Sequence, residues 1–282
     1  MAAPLPRAFA QVDVFSQTPL RGNPVAVVLD AEGLSDADMA AFARWTNLSE
    51  TTFLFPSANP AADYRFRVFT PERELPFAGH PTLGSAHAWL EHGGAPSHPD
   101  RIVQDCPAGL VELKLAEGRL AFAAPPTIRS GPVEEAVLAG VTRALGIDRG
   151  EVLDHQWVDN GPGWLAVRLA SADRALALEP DFAELPEIMV GVLGAHPAGS
   201  PHLFEIRGFA VGAGILEDPV TGSLNASVAQ WLIRTGQAPA SYTATQGTRL
   251  GRAGVVRIDA ADDGTVWVGG TCTTLIRGTV TL

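Results

Sequence analysis

The feature that most constrains this chain is a pattern it carries twice. His80-Pro81-x-x-Gly84-Ser85 and Asp218-Pro219-x-x-Gly222-Ser223 share proline, glycine and serine at one constant shift of 138 residues, from Pro81 to Pro219. The same shift carries Phe66, in RFRVF, onto Phe204, in LFEIR. Trp89 and Trp231 are one helical turn off that shift, so both can face the same way along their helices. Pro near a helix start is common, and so are small residues after it. The shared pattern, the strand match and the half-length offset together point to an internal duplication. Each half then reads as strand, loop, x-Pro-x-x-Gly-Ser and an Ala-rich helix bearing a tryptophan.

The two helices, Pro81–His92 and Thr221–Thr235, are apolar around most of their circumference, as a helix wrapped by a sheet must be. Around them the apolar alternation predicts strands at Val12–Phe15, Val25–Leu29, Thr51–Phe55, Tyr64–Phe69, Val152–Val158, Trp164–Leu169, Leu203–Arg207, Val255–Ile258, Thr265–Val268 and Thr279–Leu282. A hairpin turns at Glu117-Gly118 between Val111–Leu115 and Arg119–Ala123. Ser35 and Asp38 form a capping-box signature for a helix beginning there. Another helix ends at Gly146, with Pro132 near its first turn. Few connections look like full βαβ crossovers, so the expected class is α+β with mixed, mainly antiparallel sheets. Pro125-Pro126 marks the boundary between an N-terminal domain, 1–125, and a C-terminal domain, 126–282, whose last strand can cross back to the first.

A helix N-terminus offers unpaired N–H groups and a partial positive charge, so two of them can hold a small anion. Gly79 and Gly222 let backbone approach a ligand, and Ser85 and Ser223 add hydroxyls. Before the two prolines stand His80 and Asp218, two different ionisable groups in matched positions. The bland alternatives are a turn or core histidine and an ordinary aspartate N-cap. Glu50, in NLSE ahead of TTFLF, sits beside apolar residues that would raise its pKa toward neutrality. Its bland alternative, a solvated loop glutamate, is the favoured one on sequence alone.

Bulk properties exclude several classes. A net charge of −11 argues against nucleic acid or an anionic membrane surface as partner. Cys106 and Cys272 form no CxxC pair, so no disulfide framework or thiolate zinc site is expected. His80, His87 and His92 lack a metal-ligand spacing, and Asp262-Asp263-Gly264 reads as a hairpin turn, not a calcium loop. Gly212–Glu217 is GxGxxE without a surrounding βαβ unit, and there is neither GxxxxGK nor GxSxG. Prolines and Arg7 interrupt the N-terminal stretch where a signal peptide needs an apolar run, and no apolar run is long enough to span a bilayer. A cytoplasmic location is the expectation.

The motifs VDVFSQTPLRGNPVAVV, NLSETTFLF, RFRVFTPERELPFAGHPTLGSAH, GILEDPVTGSLNAS, TQGTRLGR and VWVGGTCTTLIRG run nearly end to end. Together they resemble the PhzF-like isomerases of phenazine biosynthesis, relatives of diaminopimelate epimerase. The resemblance implies two domains, each a curved sheet around a central helix, an active site in the cleft, no cofactor or metal, and a homodimer. It assigns proton transfer to Glu50, with His80 and Asp218 completing the catalytic set. Ser49, Gly79, Gly222, Ser223 and Gln246 are assigned to substrate binding. Leu224 departs from the family's alanine, and the paired catalytic cysteines of the racemase relatives are missing. The expected activity is movement of a proton within a small carboxylate substrate. Epimerisation at one carbon of an amino or hydroxy acid, and binding of a small carboxylate without turnover, are its rivals.

Overall fold

A computed structural model describes residues 4–116 and 118–282. Glu117, one of the two expected turn residues of the first hairpin, lies outside the described residues, as do positions 1–3 of the N-terminal stretch. In chain order the elements are β1 (Pro6–Val14), β2 (Asn23–Val28), α1 (Asp36–Thr46), β3 (Thr51–Phe55), β4 (Tyr64–Phe69), β5 (Glu74–Leu75), α2 (Gly79–Glu91), β6 (Arg101–Cys106), β7 (Gly109–Ala116) and β8 (Arg119–Ala123). They continue with β9 (Arg129–Gly131), α3 (Glu135–Leu145), β10 (Asp154–Asp159), β11 (Leu165–Leu169), α4 (Ala172–Leu176), β12 (Met189–Ala195), β13 (Phe204–Ala210) and β14 (Ile215–Asp218). The remainder is α5 (Gly222–Arg234), β15 (Ser241–Gln246), β16 (Gly254–Ala260), β17 (Val266–Gly270) and β18 (Cys272–Thr281). No described helix is long and apolar enough to cross a membrane.

The chain forms two compact units. Unit 1 is Met1–Ala123 with Gly269–Leu282, and unit 2 is Ala124–Val268. In unit 1, β1 pairs antiparallel with β2 and with β18. The order continues β2–β3 parallel, β3–β4 antiparallel, β4–β5 antiparallel, β4–β6 parallel and β6–β7 antiparallel. Unit 2 has the same sequence of pairings: β10–β11 antiparallel, β11–β12 parallel, β12–β13 antiparallel, β13–β14 antiparallel, β13–β15 parallel and β15–β16 antiparallel. The units are thus copies of one topology. Each contains two parallel pairs bridged by helices, so crossovers are commoner than the sequence suggested. Their distal strands hide well: SYTATQ in β15 buries Tyr242, Ala244 and Gln246 but carries little apolar signal.

The duplication is real, but its register differs from the one the repeated pattern suggests. Tyr64 pairs with Gln104 in unit 1 and Phe204 with Ala244 in unit 2, a shift of 140 on both strands. Val68 faces Leu75, and its counterpart Gly208 faces Asp218, which moves the shift to 143. The central helices keep that value: α2 and α5 are both 13 residues long and start at Gly79 and Gly222. Three extra residues account for the change, and unit 2 has a single 3₁₀ turn, Val211–Ala213, between β13 and β14. The counterpart of His80 is therefore Ser223, and the counterpart of Asp218 is Leu75. Phe66 likewise corresponds to Ile206 and not to Phe204.

Helix α2 is buried along most of its length and packs against β1, β2, β3, β8 and β18. Gly84 belongs to this packing: a Cβ there would lie 2.4 Å from Val25 Cγ1 and 3.0 Å from Val14 Cγ2. Ser85 is also internal, donating to Thr52 Oγ1 at 2.8 Å. Neither the glycine nor the serine of the first copy therefore lies at a helix start. In unit 2 the large Leu224 of α5 fits because glycines lie beneath it; a Cβ on Gly191 would meet Leu224 Cδ1 at 2.5 Å.

Candidate active site

In unit 1, α1 ends at Asn47, whose positive φ of 54° turns the chain toward β3. That turn delivers Ser49 and Glu50 to the first residue of a buried parallel strand. The Glu50 side chain is only 13% exposed, and its Oε2 has no hydrogen-bond partner. Burial penalises the carboxylate and pushes its pKa up to about 7; the adjacent Ser49 hydroxyl works in the opposite direction. His80, the second residue of α2, is 4% exposed and brings Nε2 to 3.4 Å from Glu50 Oε2. Its Nδ1 lies 3.3 Å from Asn23 Nδ2, at the start of β2. Gly79 opens the helix behind Ala78, which supplies no side-chain cap. Ser49, Glu50, Gly79 and His80 thus lie together in unit 1, around a buried carboxyl whose pKa is raised to about 7.

Unit 2 brings together Asp218, Thr221, Ser223 and Gln246. Asp218 ends β14 and lies outside α5, so its proline precedes the helix, whereas Pro81 is the third residue of α2. Asp218 Oδ2 accepts from Thr221 Oγ1 at 2.6 Å. Gln246 is 1% exposed, and its amide is fully engaged within the unit. Its Oε1 accepts from the Thr221 N–H at 3.0 Å and from Asn225 Nδ2 at 2.8 Å. Its Nε2 donates to the Asp218 carbonyl at 3.1 Å and to Thr221 Oγ1 at 2.9 Å. An amide has two donors and two acceptor sites, and all four of Gln246 are occupied within unit 2. These four bonds tie Gln246 to the turn between Asp218 and α5. Ser223 Oγ accepts from Trp164 Nε1 at 3.0 Å, and the Ser223 carbonyl accepts from Asn160 Nδ2, also at 3.0 Å.

Asn23, Asn160, Trp164 and Thr221 were not singled out from sequence. Asn23 lies in the RGNP turn, where Asn and Pro already have a structural explanation. Trp164 opens an apolar strand, where an indole passes as core. Glu217, the last residue of the GxGxxE run and the neighbour of Asp218, pairs in bidentate fashion with Arg207 of β13 at 2.9 and 2.8 Å. The described residues contain no cluster of three or more His, Cys, Asp or Glu suited to a metal ion. Cys106 and Cys272 are free thiols.

Comparison with known proteins adds an independent line. Residues 12–278 match the family model of phenazine biosynthesis-like proteins, PhzC-PhzF. The chain is 38% identical to antisense-enhancing sequence 1 of Schizosaccharomyces pombe, over 96% of this chain and 97% of that one. It is 34% identical to trans-2,3-dihydro-3-hydroxyanthranilate isomerase of Pseudomonas fluorescens, over 96% and 98%. A solved PhzF-family structure from Enterococcus faecalis matches with a TM-score of 0.82 at 25% identity, covering 99% of this chain and all of that one.

Proposed function

Because the chain belongs to the phenazine biosynthesis-like PhzC-PhzF family, several of whose relatives are isomerases, we propose that it is an isomerase that moves a proton within a small carboxylate substrate, with Glu50 as the acid–base group. The observation that carries this role is the burial of Glu50, which raises its pKa to about 7 and leaves Oε2 without a hydrogen-bond partner. A carboxyl tuned near the working pH can take a proton from an activated C–H and return it at another carbon of the same molecule. No net charge or electron changes hands, and Glu50 ends as it began. His80 stabilises charge that develops on the substrate, as do the backbone N–H groups at Gly79 and Gly222. Asp218 and the Ser223 hydroxyl orient the substrate. Ser49 binds it beside Glu50. The working protein is proposed to be a homodimer, which light scattering on the purified chain would test.

The direct test is incubation in D₂O with trans-2,3-dihydro-3-hydroxyanthranilate, on which the named relatives act, and with a panel of other small carboxylates. Deuterium should enter a C–H position of at least one of them. Glu50→Gln should slow that entry by about 10²–10⁴-fold with the fold intact. Undiminished exchange by Glu50→Gln would remove Glu50 from the chemistry. The carbon that gains deuterium distinguishes a shift between two carbons from inversion at one.

A further inference from the structure

Gly79 and Gly222 open the two central helices, so His80 and Ser223 occupy the same place, the second residue of each. Each of these side chains lies within hydrogen-bond reach of a nitrogen that can only donate. In unit 1 the donor is Asn23 Nδ2, directed at His80 Nδ1 from the head of β2. In unit 2 it is the Trp164 indole N–H, directed at Ser223 Oγ from the residue before β11. Strands β2 and β11 are the second strands of the shared topology, and both donors are 1% exposed. The same device is thus built twice with unrelated side chains.

We propose that Asn23 and Trp164 are positioning residues that hold His80 and Ser223 as hydrogen-bond donors. An amide nitrogen and an indole nitrogen do not accept, so His80 Nδ1 must present its lone pair to Asn23. Neutral His80 then carries its proton on Nε2, the atom 3.4 Å from Glu50 Oε2. In that tautomer the imidazole face toward Glu50 is a donor and cannot take the carboxyl's proton. Glu50 must therefore exchange with substrate and not with His80. Ser223, with one lone pair occupied by the indole, keeps its O–H to donate elsewhere. This rests on the assignment of proton transfer to Glu50, but the tautomer itself is a property of the free protein.

The first test needs no substrate. In protein labelled with ¹⁵N-histidine, the ring signals that vanish in His80→Gln identify His80. Wherever His80 is neutral, the unaltered protein should show its proton on Nε2. Asn23→Asp places an acceptor where the donor was, and should move the proton to Nδ1; Asn23→Leu should give a mixture. An Nδ1–H tautomer in the unaltered protein, or an unchanged spectrum in Asn23→Asp, would overturn the role of Asn23. Failure of the isomerase reading would leave this spectrum untouched. The second test uses the deuterium-entry rate. Trp164→Phe, or Trp164→Leu if the first does not fold, should lower it about tenfold, yet cause no further loss in a Ser223→Ala background. Equal losses in both backgrounds would make Trp164 merely structural.

Discussion

Glu50 illustrates how one buried side chain couples catalysis to stability. Its native pKa of about 7 lies above the ordinary value of 4.5, so the native state holds this proton more tightly than the unfolded chain does. Stability from this group is therefore fully present below about pH 4.5 and falls as pH rises through the window up to 7. The shift corresponds to about 3 kcal/mol lost above that window. Glu50→Gln, which cannot ionise, should match the parent's stability at low pH and exceed it by roughly that amount at pH 8. Urea melts at several pH values would check this; parallel curves for the two proteins across pH 4 to 8 would contradict it. The same ionisation should appear in activity: kcat/KM should rise with pH through a limb near 7 that Glu50→Gln lacks.

At the level of elements, each unit steadies its helix start with an arginine–glutamate clamp. Arg67 on β4 grips Glu74 on β5 with two hydrogen bonds of 2.6 Å, and its guanidinium lies 5.1 Å from the Phe69 ring. Arg207 on β13 grips Glu217 on β14 and lies 4.9 Å from Phe209. Both glutamates stand five residues before the helix. The Arg207 side chain is 4% exposed and also donates to the carbonyls of Ala175 and Leu178, whereas Arg67 is 14% exposed and shares itself with the surface Asp36. Arg207→Leu should thus cost about 3–5 kcal/mol, because it strands a buried carboxylate. Arg67→Leu should cost on the order of 1–2 kcal/mol. Chemical melts of the two variants measure the difference. Gly208 faces Asp218, and a Cβ there would lie 2.7 Å from Thr221 Oγ1 and 3.2 Å from Gln246 Nε2. Gly208→Ala should cost about 1–3 kcal/mol and blunt activity, although Val68 fills the equivalent place in unit 1 without conflict. A neutral Gly208→Ala variant would show that the turn can yield.

The same elements explain what was legible in the sequence. The helices were visible because they are apolar on most sides, and ionisable His80 and Asp218 stood out beside their prolines; the residues alone favoured a solvated loop for Glu50, and only the resemblance singled it out. The duplication was visible too, but Pro-x-x-Gly-Ser aligned the wrong residues. In unit 1 that pattern lies inside the helix, where Gly84 and Ser85 serve packing; in unit 2 its proline precedes the helix. The clamps kept the true register, yet the three extra residues between Phe209 and Glu217, relative to Phe69 and Glu74, break any constant offset. Hydrogen-bond partners such as Asn23 and Trp164 leave no spacing signal, since their meaning depends on strands brought together only by folding.

For the whole molecule, the decisive feature is that unit 2 is contiguous while unit 1 is assembled from both ends of the chain. A fragment of residues 124–268 should fold alone. A chain ending at residue 268 lacks β18, the strand paired along all of β1 from Pro6 to Val14. Hydrogen exchange should then show loss of protection in β1 and β2, with β12 and β13 unchanged; retained protection in β1 would contradict this. There is also a consequence for biosynthesis. A ribosome emits β1 well before its partner β18, so at about 5–20 residues per second β1 waits on the order of ten to thirty seconds beyond Ala123 for that partner. Unit 2 can be complete before that partner emerges, which makes β1 among the last of these strands to be sealed and leaves its open edge to chaperones in the interval.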